Sequence, residues 1–186
     1  METDQNIHLL DIRDNYLSFL QNKFKLSNEK ISKIDIADVN FEKNYPGFLN
    51  RFDSIFCLNV IEHIKDDRQA MKNILKMLKP SGKAVVLVPA YQKLFNKIDT
   101  SLQHFRRYTD KTLTDIVPQQ ATIQKVFYFN AMGIPAWFIG GKLLQQDSIH
   151  KEEMKLYDRF VPIWKLLDKL SNRTIGLSVI TIFQKQ

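Results

Sequence analysis

The segment from residue 52 to residue 90 constrains the fold most, because a strand, a helix and a second strand follow one another in it without a break. Its first part, FDSIFCLN, has the apolar run of a buried strand. The helix has an apolar stripe made of Ala70, Met71, Ile74, Leu75 and Leu78, and it ends at the proline and glycine of KPSG. The second strand, KAVVLVPA, is apolar after its first residue, which is typical of a strand buried on both faces of a parallel sheet. The segment therefore predicts a β-α-β unit.

Shorter strand and helix patterns flank this unit and continue the alternation. The other predicted strands lie at residues 7–11, 31–35, 121–130 and 175–186. A helix follows the first of them, with its apolar face on Tyr16, Leu17, Leu20 and Phe24. Residues 131–174 are rich in aromatic and apolar side chains and predict a helical cap inserted before the last strand. The whole pattern predicts a single α/β domain over residues 1–186, with helices on both faces of a sheet.

The composition sets limits on the compartment and the partners. Cys57 is the one cysteine among 186 residues, which excludes an intrachain disulfide and favours a reducing, cytoplasmic compartment. We recognise neither a signal peptide nor an apolar segment of the about 20 residues that a membrane span needs. The net charge of +7 suits a partner with phosphates or an anionic membrane surface, although basicity of this size often serves solubility alone. Nucleic acid is not expected as a partner.

Polar residues stand at the ends of the predicted strands. Asp11, Asp35 and Asn59 close the first three strands, and Pro89 and Ala90 close the fourth. Ligands of open parallel sheets bind beyond the carboxyl ends of the strands, so we expect these residues to line one edge. A carboxylate there can accept hydrogen bonds from both hydroxyls of a ribose, or from an adenine amino group. Each aspartate alone would be explained equally well by a helix cap or a turn.

These segments resemble the class I S-adenosylmethionine-dependent methyltransferases, which have a Rossmann-like sheet. FDSIFCLNVIEHIKDDRQAMKNILKMLKPSGKAVVLVPA is similar to the fourth and fifth strands of that family, with NVIEHI and LKPSG as typical runs. IHLLDIRDNYLSFLQNKF resembles its second strand and the following helix, and KIDIAD resembles its third strand and adenine loop. DTSLQHFRRYT, YFNAMGIPAWFIGGKLL and GLSVITIFQK extend the resemblance to a subgroup of bacterial methyltransferases. With these segments, the resemblance covers nearly the whole chain.

The resemblance implies that the cofactor is S-adenosylmethionine and that residues at the strand ends bind it. The implied residues are Asp11 and Ile12 at the ribose, Asp35 and Ile36 at the adenine, and Leu58 and Asn59 beneath the methionine part.

The chain departs from this family at its start. The family's first strand and glycine-rich loop would stand before Ile7, where only METDQN is present, and no glycine precedes Gly47. That strand lies centrally in the family's sheet, between the strands that here end in Asp11 and Asn59. Its absence would leave a gap and unpaired backbone groups unless the two neighbours close up. The sequence is then either an incomplete copy of a longer protein, which we favour, or a degenerate homologue.

Three residues are candidates for the chemistry of methyl transfer. By the resemblance, Glu62 and His63 face the acceptor, and His104 lies in a predicted loop over the site. An imidazole titrates near neutral pH, so the two histidines are the best candidates for a base that removes a proton from the acceptor, although a structural role for His63 is equally open. Some methyltransferases hold a divalent ion with Glu-x-x-Glu-His and a later histidine, but Asn59 replaces the first glutamate here and no metal is predicted.

The basic loop around His104 and the predicted cap give two indications about the substrate. Arg106, Arg107 and Tyr108 are predicted to bind a phosphate or carboxylate of the substrate, and the alternative is a solvated face or an arginine paired with Asp99 or Glu62. Aromatic residues of the cap, with basic neighbours, would suit a lipid-linked substrate or peripheral membrane contact, although simple packing on the domain is favoured. They are Trp137, Phe138, Phe160 and Trp164.

The sequence thus predicts a methyltransferase that acts on a small-molecule or lipid-linked acceptor. One alternative is a non-catalytic homologue that serves as a binding module through its basic loop and cap. Another is a nicotinamide-dependent dehydrogenase, in which an acid-ended second strand also binds ribose, but NVIEHI and the late pair of strands argue against it.

Overall fold

The structure is a computed structural model, and it describes residues 7–139, 161 and 172–186. The strands are β1 (Leu9–Asp11), β2 (Ile31–Lys33), β3 (Phe52–Leu58), β4 (Leu78–Pro89), β5 (Ala121–Phe129) and β6 (Ser178–Lys185). The α-helices are α1 (Asp14–Phe24), α2 (Phe41–Asn44), α3 (Asp67–Met77), α4 (Lys97–Ser101), α5 (Asp110–Thr114) and α6 (Gly133–Phe138).

Four strands form one sheet in the order β3-β4-β6-β5. β3 and β4 are parallel, as the predicted β-α-β unit requires, whereas β6 runs antiparallel to β4 and to β5. The connecting helix, α3, begins where the Asp66 side chain accepts a hydrogen bond of 3.0 Å from the backbone N–H of Gln69. Such a cap satisfies one of the free donors at a helix start and fixes the point at which the helix begins.

An irregular segment near the start of β4 requires a glycine at position 82. A Cβ atom there would lie 2.9 Å from the carbonyl oxygen of Lys79 and 3.0 Å from that of Phe52. Because both neighbours are backbone atoms, a side-chain movement would not relieve the clash. Leu78 pairs with Phe52 before this segment, and regular pairing with β3 resumes at Lys83. The helix therefore ends at Met77, before the KPSG run that was predicted to stop it, and KPSG forms the irregular part of β4.

The core lies where α3 packs against the four-stranded sheet. From β4, Ala84, Val86 and Val88 are fully buried, and from β6 Val179 and Phe183 are fully buried as well. The α3 residues in the same cluster include Ala70, Met71 and Ile74. The apolar stripe and the apolar strand that the sequence predicted thus face each other, and their burial is the main stabilising term of this half of the molecule.

β1 and β2 form a separate two-stranded parallel sheet. Within the described ranges, no hydrogen-bonded ladder joins β1 to β3. The two strands nevertheless start close together, because the ring of His8, before β1, is 5.9 Å from that of Phe52 at the start of β3. The described sheet is therefore interrupted between β1 and β3.

The predicted α/β fold class is confirmed, with three differences in detail. The first two strands are shorter than predicted, and each has three residues. The predicted apolar face of α1 is largely uncovered, because only Leu17 is buried and the side chains of Tyr16 and Phe24 are nearly half exposed. Most of the predicted cap, including Phe160 and Trp164, lies outside the described residues. Among the helices that are described, none is long and apolar enough to cross a membrane.

Candidate functional site

The segments after β1, β2 and β3 carry most of the predicted site residues. Asn59, directly after β3, has a φ of 53°, a left-handed conformation that asparagine tolerates better than most residues. Its backbone N–H donates a hydrogen bond of 2.9 Å to the carbonyl of Leu87 on β4. The chain then turns into a short 3₁₀ segment, Ile61–His63, before α3 begins. This turn directs the polar residues that follow β3 toward the end of β4.

Asp11, at the end of β1, is held by its neighbour Arg13. The Asp11 carboxylate accepts hydrogen bonds from the backbone N–H of Arg13 at 2.9 Å and from its guanidinium at 3.0 and 3.1 Å. Burial alone would raise the pKa of Asp11, but these hydrogen bonds and the positive charge outweigh it and lower the pKa. The carboxylate is therefore ionised at neutral pH, as a ribose-binding group must be, and Ile12 beside it is half exposed.

The predicted adenine-binding residues follow β2 and are anchored to α3. One carboxylate oxygen of Asp35 accepts a hydrogen bond of 2.8 Å from the backbone N–H of Ala37, which closes a tight turn. The carbonyl of Ile36 accepts a hydrogen bond of 2.9 Å from the buried side chain of Asn73. Leu58, at the end of β3, has half of its side chain exposed on the same side of the break in the sheet. These contacts fix the loop after β2 against α3.

Glu62, His63 and His104, the three predicted catalytic residues, lie together. The Nε2 atom of His104 is 4.0 Å from Oε1 of Glu62, and the rings of the two histidines meet edge to face with centroids 4.6 Å apart. Glu62 is completely buried, and neither of its carboxylate oxygens has a hydrogen-bond partner among the described residues. His63 is more open to solvent, so the cluster has one buried wall and one accessible side.

Burial controls the protonation of this cluster. It raises the pKa of Glu62 to about 7, although the charges of His104 and Arg107 act in the opposite direction. It also lowers the pKa of His63, and the neighbouring His104 adds to that effect. A carboxyl group that titrates near neutral pH is typical of a functional site, because a purely structural acid is usually paired.

Asp99 organises the cluster, and sequence reasoning named it only as a possible partner for an arginine. Its Oδ1 lies 2.8 Å from Nδ1 of His104 and accepts a hydrogen bond of 2.8 Å from Nε of Arg107. Its other oxygen accepts from the backbone N–H of Asn96 and completes a capping box at the start of α4. Burial alone would raise the pKa of Asp99, but the bonds to His104 and Arg107 outweigh it and lower the pKa. The N-x-x-D spacing of residues 96–99 was the available signal.

The predicted substrate-binding residues make contacts inside the protein. Arg107 is buried, pairs with Asp99, and lies 4.4 Å above the ring of Trp137. Arg106 pairs with Asp67 at 2.6 Å, and the buried Tyr108 donates a hydrogen bond of 2.8 Å to the same carboxylate. The alternative interpretation of a paired arginine therefore describes Arg107, while a substrate-binding role for this loop stays a prediction.

Comparison with known proteins starts from the sequence. Residues 2–84 match the profile of a family described as "Methyltransferase domain". The matched part contains β1 to β3, α3 and the turn into β4, and so it includes the segment that follows β3. No curated protein gave a significant match to the chain.

Solved structures extend the likeness to the whole chain. One is a SAM dependent methyltransferase from Archaeoglobus fulgidus, with 17% identity over 95% of this chain and 74% of that one, at a TM-score of 0.53. Another is phosphoethanolamine N-methyltransferase 2 of Haemonchus contortus in complex with S-adenosyl-L-methionine, with 18% identity over 96% of this chain and 43% of that one, at 0.53. A third is the [4+2]-cyclase SpnF, with 15% identity over 98% of this chain and 67% of that one, at 0.58. At these identities the likeness concerns the fold.

The profile match over residues 2–84 and the shared fold agree with the resemblance that the sequence motifs indicated: the chain has the fold of the S-adenosylmethionine-dependent methyltransferases.

Proposed function

We propose that the protein transfers a methyl group from S-adenosylmethionine to a small-molecule or lipid-linked acceptor. The observation that supports this most is the arrangement at the break in the sheet. The starts of β1 and β3 meet through the rings of His8 and Phe52, the end of β1 carries the ionised Asp11, and the end of β3 leads to Glu62 and His63. An ionised carboxylate suited to a ribose and a cluster suited to proton transfer thus share one edge, where ligands of such sheets bind.

The described residues fit the adenosine part of the cofactor. Asp11 is ionised and would bind the ribose hydroxyls by exchanging part of its contact with Arg13 for them. Asp35 and Ile36 lie in the loop that would contact the adenine, while Leu58 and Asn59 would pass beneath the methionine part. When bound, S-adenosylmethionine supplies an electrophilic methyl group that needs an aligned acceptor.

His104 is suited to take up a proton from the acceptor. Because Asp99 accepts a hydrogen bond from Nδ1, the tautomer with a free lone pair on Nε2 is favoured, and Nε2 faces the Glu62 side of the cluster. Glu62 would stabilise the resulting imidazolium with its charge. The basic loop would then serve mainly to hold this arrangement, because Arg107 binds the same aspartate.

The second candidate is a non-catalytic homologue that acts as a binding module. Two observations favour it: the Asp11 carboxylate is already occupied by Arg13, and β1 and β3 are not paired with each other.

Calorimetric titration of the protein with S-adenosylhomocysteine and with NAD tests the proposal. We expect binding of S-adenosylhomocysteine and none of NAD. Asp11→Ala should weaken binding about 10- to 100-fold, because a hydrogen bond to a charged group contributes about 1.5–3 kcal/mol. Asp14→Ala is the matched control, since Asp14 is an exposed acid three residues away that pairs with Lys33.

Each other outcome points to a different function. Binding of NAD without S-adenosylhomocysteine would support the dehydrogenase. Failure to bind either molecule would support the non-catalytic module. An unchanged affinity in Asp11→Ala would remove Asp11 from the cofactor site while leaving the fold assignment intact.

A further inference from the structure

We propose that Glu62, His63 and His104 bind a divalent transition-metal ion, with zinc or manganese as the best candidates. Each residue offers one ligand atom, and these atoms all lie within 4.8 Å of one another. Ligands bound to such an ion at about 2.0–2.2 Å lie roughly 3.4 Å apart, so the separations in the cluster need to shorten by up to about 1.4 Å. The sequence predicted no metal, because Asn59 stands where an acidic ligand is expected, but three protein ligands are enough for a site with an open position.

The buried carboxylate of Glu62 is the strongest argument for an ion. Both of its oxygens are shielded from solvent and have no hydrogen-bond partner within the described part of the chain. A buried charge without a partner is costly, and native proteins normally neutralise it with a cation or a hydrogen bond. The His104 ring, whose Nε2 is 4.0 Å from Oε1, is too far for a hydrogen bond. A cation between the two groups would satisfy both.

Arg107, the other cation close to Glu62, is engaged elsewhere. Its Nε donates to Asp99 at 2.8 Å and its Nη1 donates to the carbonyl of Ala90 at 3.2 Å. Its guanidinium is also stacked on the ring of Trp137. These contacts hold the arginine away from the carboxylate, so the vacant oxygens of Glu62 face the two imidazoles.

The contact between Asp99 and His104 is the second-shell arrangement that a metal-bound histidine usually has. A carboxylate that accepts from Nδ1 fixes the ring and directs the Nε2 lone pair toward the ion. Nδ1 of His104 lies 2.8 Å from Asp99, whose lowered pKa keeps it ionised. The orientation of His104 is thus set without the ion, and only small movements of Glu62 and His63 remain.

The ligand types limit which ion can bind. Two imidazoles and one carboxylate suit zinc, manganese or iron, whereas calcium and magnesium prefer oxygen ligands alone. Because His63 is the exposed member of the cluster, an open coordination position would be reached from its side. An ion there would bind an oxygen atom and lower the pKa of a hydroxyl group. With an ion bound, Nε2 of His104 is a ligand and no longer the base of the proposed methyl transfer, so the ion would then activate the acceptor. Ion binding itself is tested without methyl transfer.

The test uses tag-free natural protein that has been treated with a chelator and titrated with zinc chloride, manganese chloride and magnesium chloride. We expect one zinc or manganese ion per chain, a raised melting temperature, and no comparable response to magnesium. Cobalt substitution should give the visible absorption of a site with nitrogen ligands. Absence of a one-to-one response to zinc and to manganese would overturn the proposal.

Variants separate the cluster from adventitious binding. Glu62→Gln keeps the shape of the side chain and removes its charge, so the metal-free protein should stay folded while ion affinity falls at least about tenfold. His63→Gln, at an exposed position, should have a similar effect on affinity and serves if His104→Gln fails to fold. His8→Gln is the matched control, because His8 lies outside the cluster and contacts Ser32. Equal ion affinity in Glu62→Gln, His63→Gln and the wild type would contradict the assignment.

Discussion

The four-stranded and two-stranded parts of the sheet differ sharply in how well they are covered. In the four-stranded part, the β4 and β6 side chains that face α3 are fully buried, with Phe183 at 0% exposure. In the two-stranded part, α1 buries Leu17 alone and leaves Phe19 more than half exposed. Two exposed aromatic residues of α1 contact a cation instead, because the ammonium group of Lys23 lies over the rings of Phe19 and Phe24.

The two parts therefore differ in what stabilises them. The four-stranded part contains its own core, since α3, β4 and β6 bury each other's apolar faces. The two-stranded part is short, and two-stranded sheets need further packing for stability.

The largest expected effect is in the four-stranded core. Phe183→Ala should lower the free energy of unfolding by about 3–5 kcal/mol, because it removes a fully buried ring and leaves a cavity beside β4. Urea denaturation followed by circular dichroism measures this change. A loss below about 1 kcal/mol would lie well under the expected range and would mean that this core is not the main source of stability.

A buried hydroxyl group provides the second test. Tyr108→Phe removes the hydrogen bond of 2.8 Å to Asp67 and should destabilise the protein by about 1–2 kcal/mol, because the acceptor is charged and buried. Asp67 keeps its pairing with Arg106, which limits the loss. Tyr16→Phe is the same substitution on the exposed face of α1 and should change stability by less than about 0.5 kcal/mol. Equal losses in the two variants would contradict the contrast between the two parts.

Much of the fold could be predicted from the sequence because a long apolar run indicates a buried strand or helix face from neighbouring residues alone. The stripe of α3 was found buried, and so was one face of KAVVLVPA, with Ala84, Val86 and Val88. Val85 and Leu87 on its other face are only half-buried, so the burial of both faces that the sequence predicted is not complete. The face of α1 has the same periodicity, yet Tyr16 and Phe24 stay exposed because periodicity does not reveal whether a partner is present. The pattern therefore predicts where a helix can pack, and the tertiary context decides whether it does.

The site was predictable to a smaller extent. Glu62, His63 and His104 were named from their residue types and the resemblance, and their meeting depends on contacts between segments about 40 residues apart. Asp99 was weighed only as an arginine's partner, because its contact with His104 exists only after α4 has formed. The pairing of Arg106 and Tyr108 with Asp67 likewise spans the chain, and no local spacing indicates it.

A substitution on the uncovered helix should have a smaller effect than the same one in the core. Phe19→Ala removes a ring that is 53% exposed and contacts Lys23 at 5.5 Å, so the loss should be no more than about 1 kcal/mol. The measurement is the urea midpoint, compared directly with Phe183→Ala. A loss as large as that of Phe183→Ala would show that α1 is covered in solution by structure beyond the described residues.

The smallest expected effect concerns His8, which joins the two parts through its ring contacts with Phe48 and Phe52. Burial lowers the pKa of His8, and the charge of Arg51 adds to this effect, so the folded protein favours the neutral ring. Its contribution to stability is then present above the unfolded-state pKa of about 6.5 and is lost as the pH falls through the lower folded-state value.

Acidification should therefore loosen the junction between the two parts before it affects the core. Between about pH 7.5 and pH 5, the wild type should lose more stability than His8→Gln, since the variant lacks the titrating ring. His63 also has a lowered pKa and titrates in both proteins, so the difference between them isolates His8. Amide hydrogen exchange resolves the location, and protection should fall first in β1 and β2 and last in β4 and β6. Identical pH profiles for the two proteins would mean that the ring of His8 does not hold β1 against β3, and the two-stranded part would then be held mainly by the loop after β2 and its contact with Asn73.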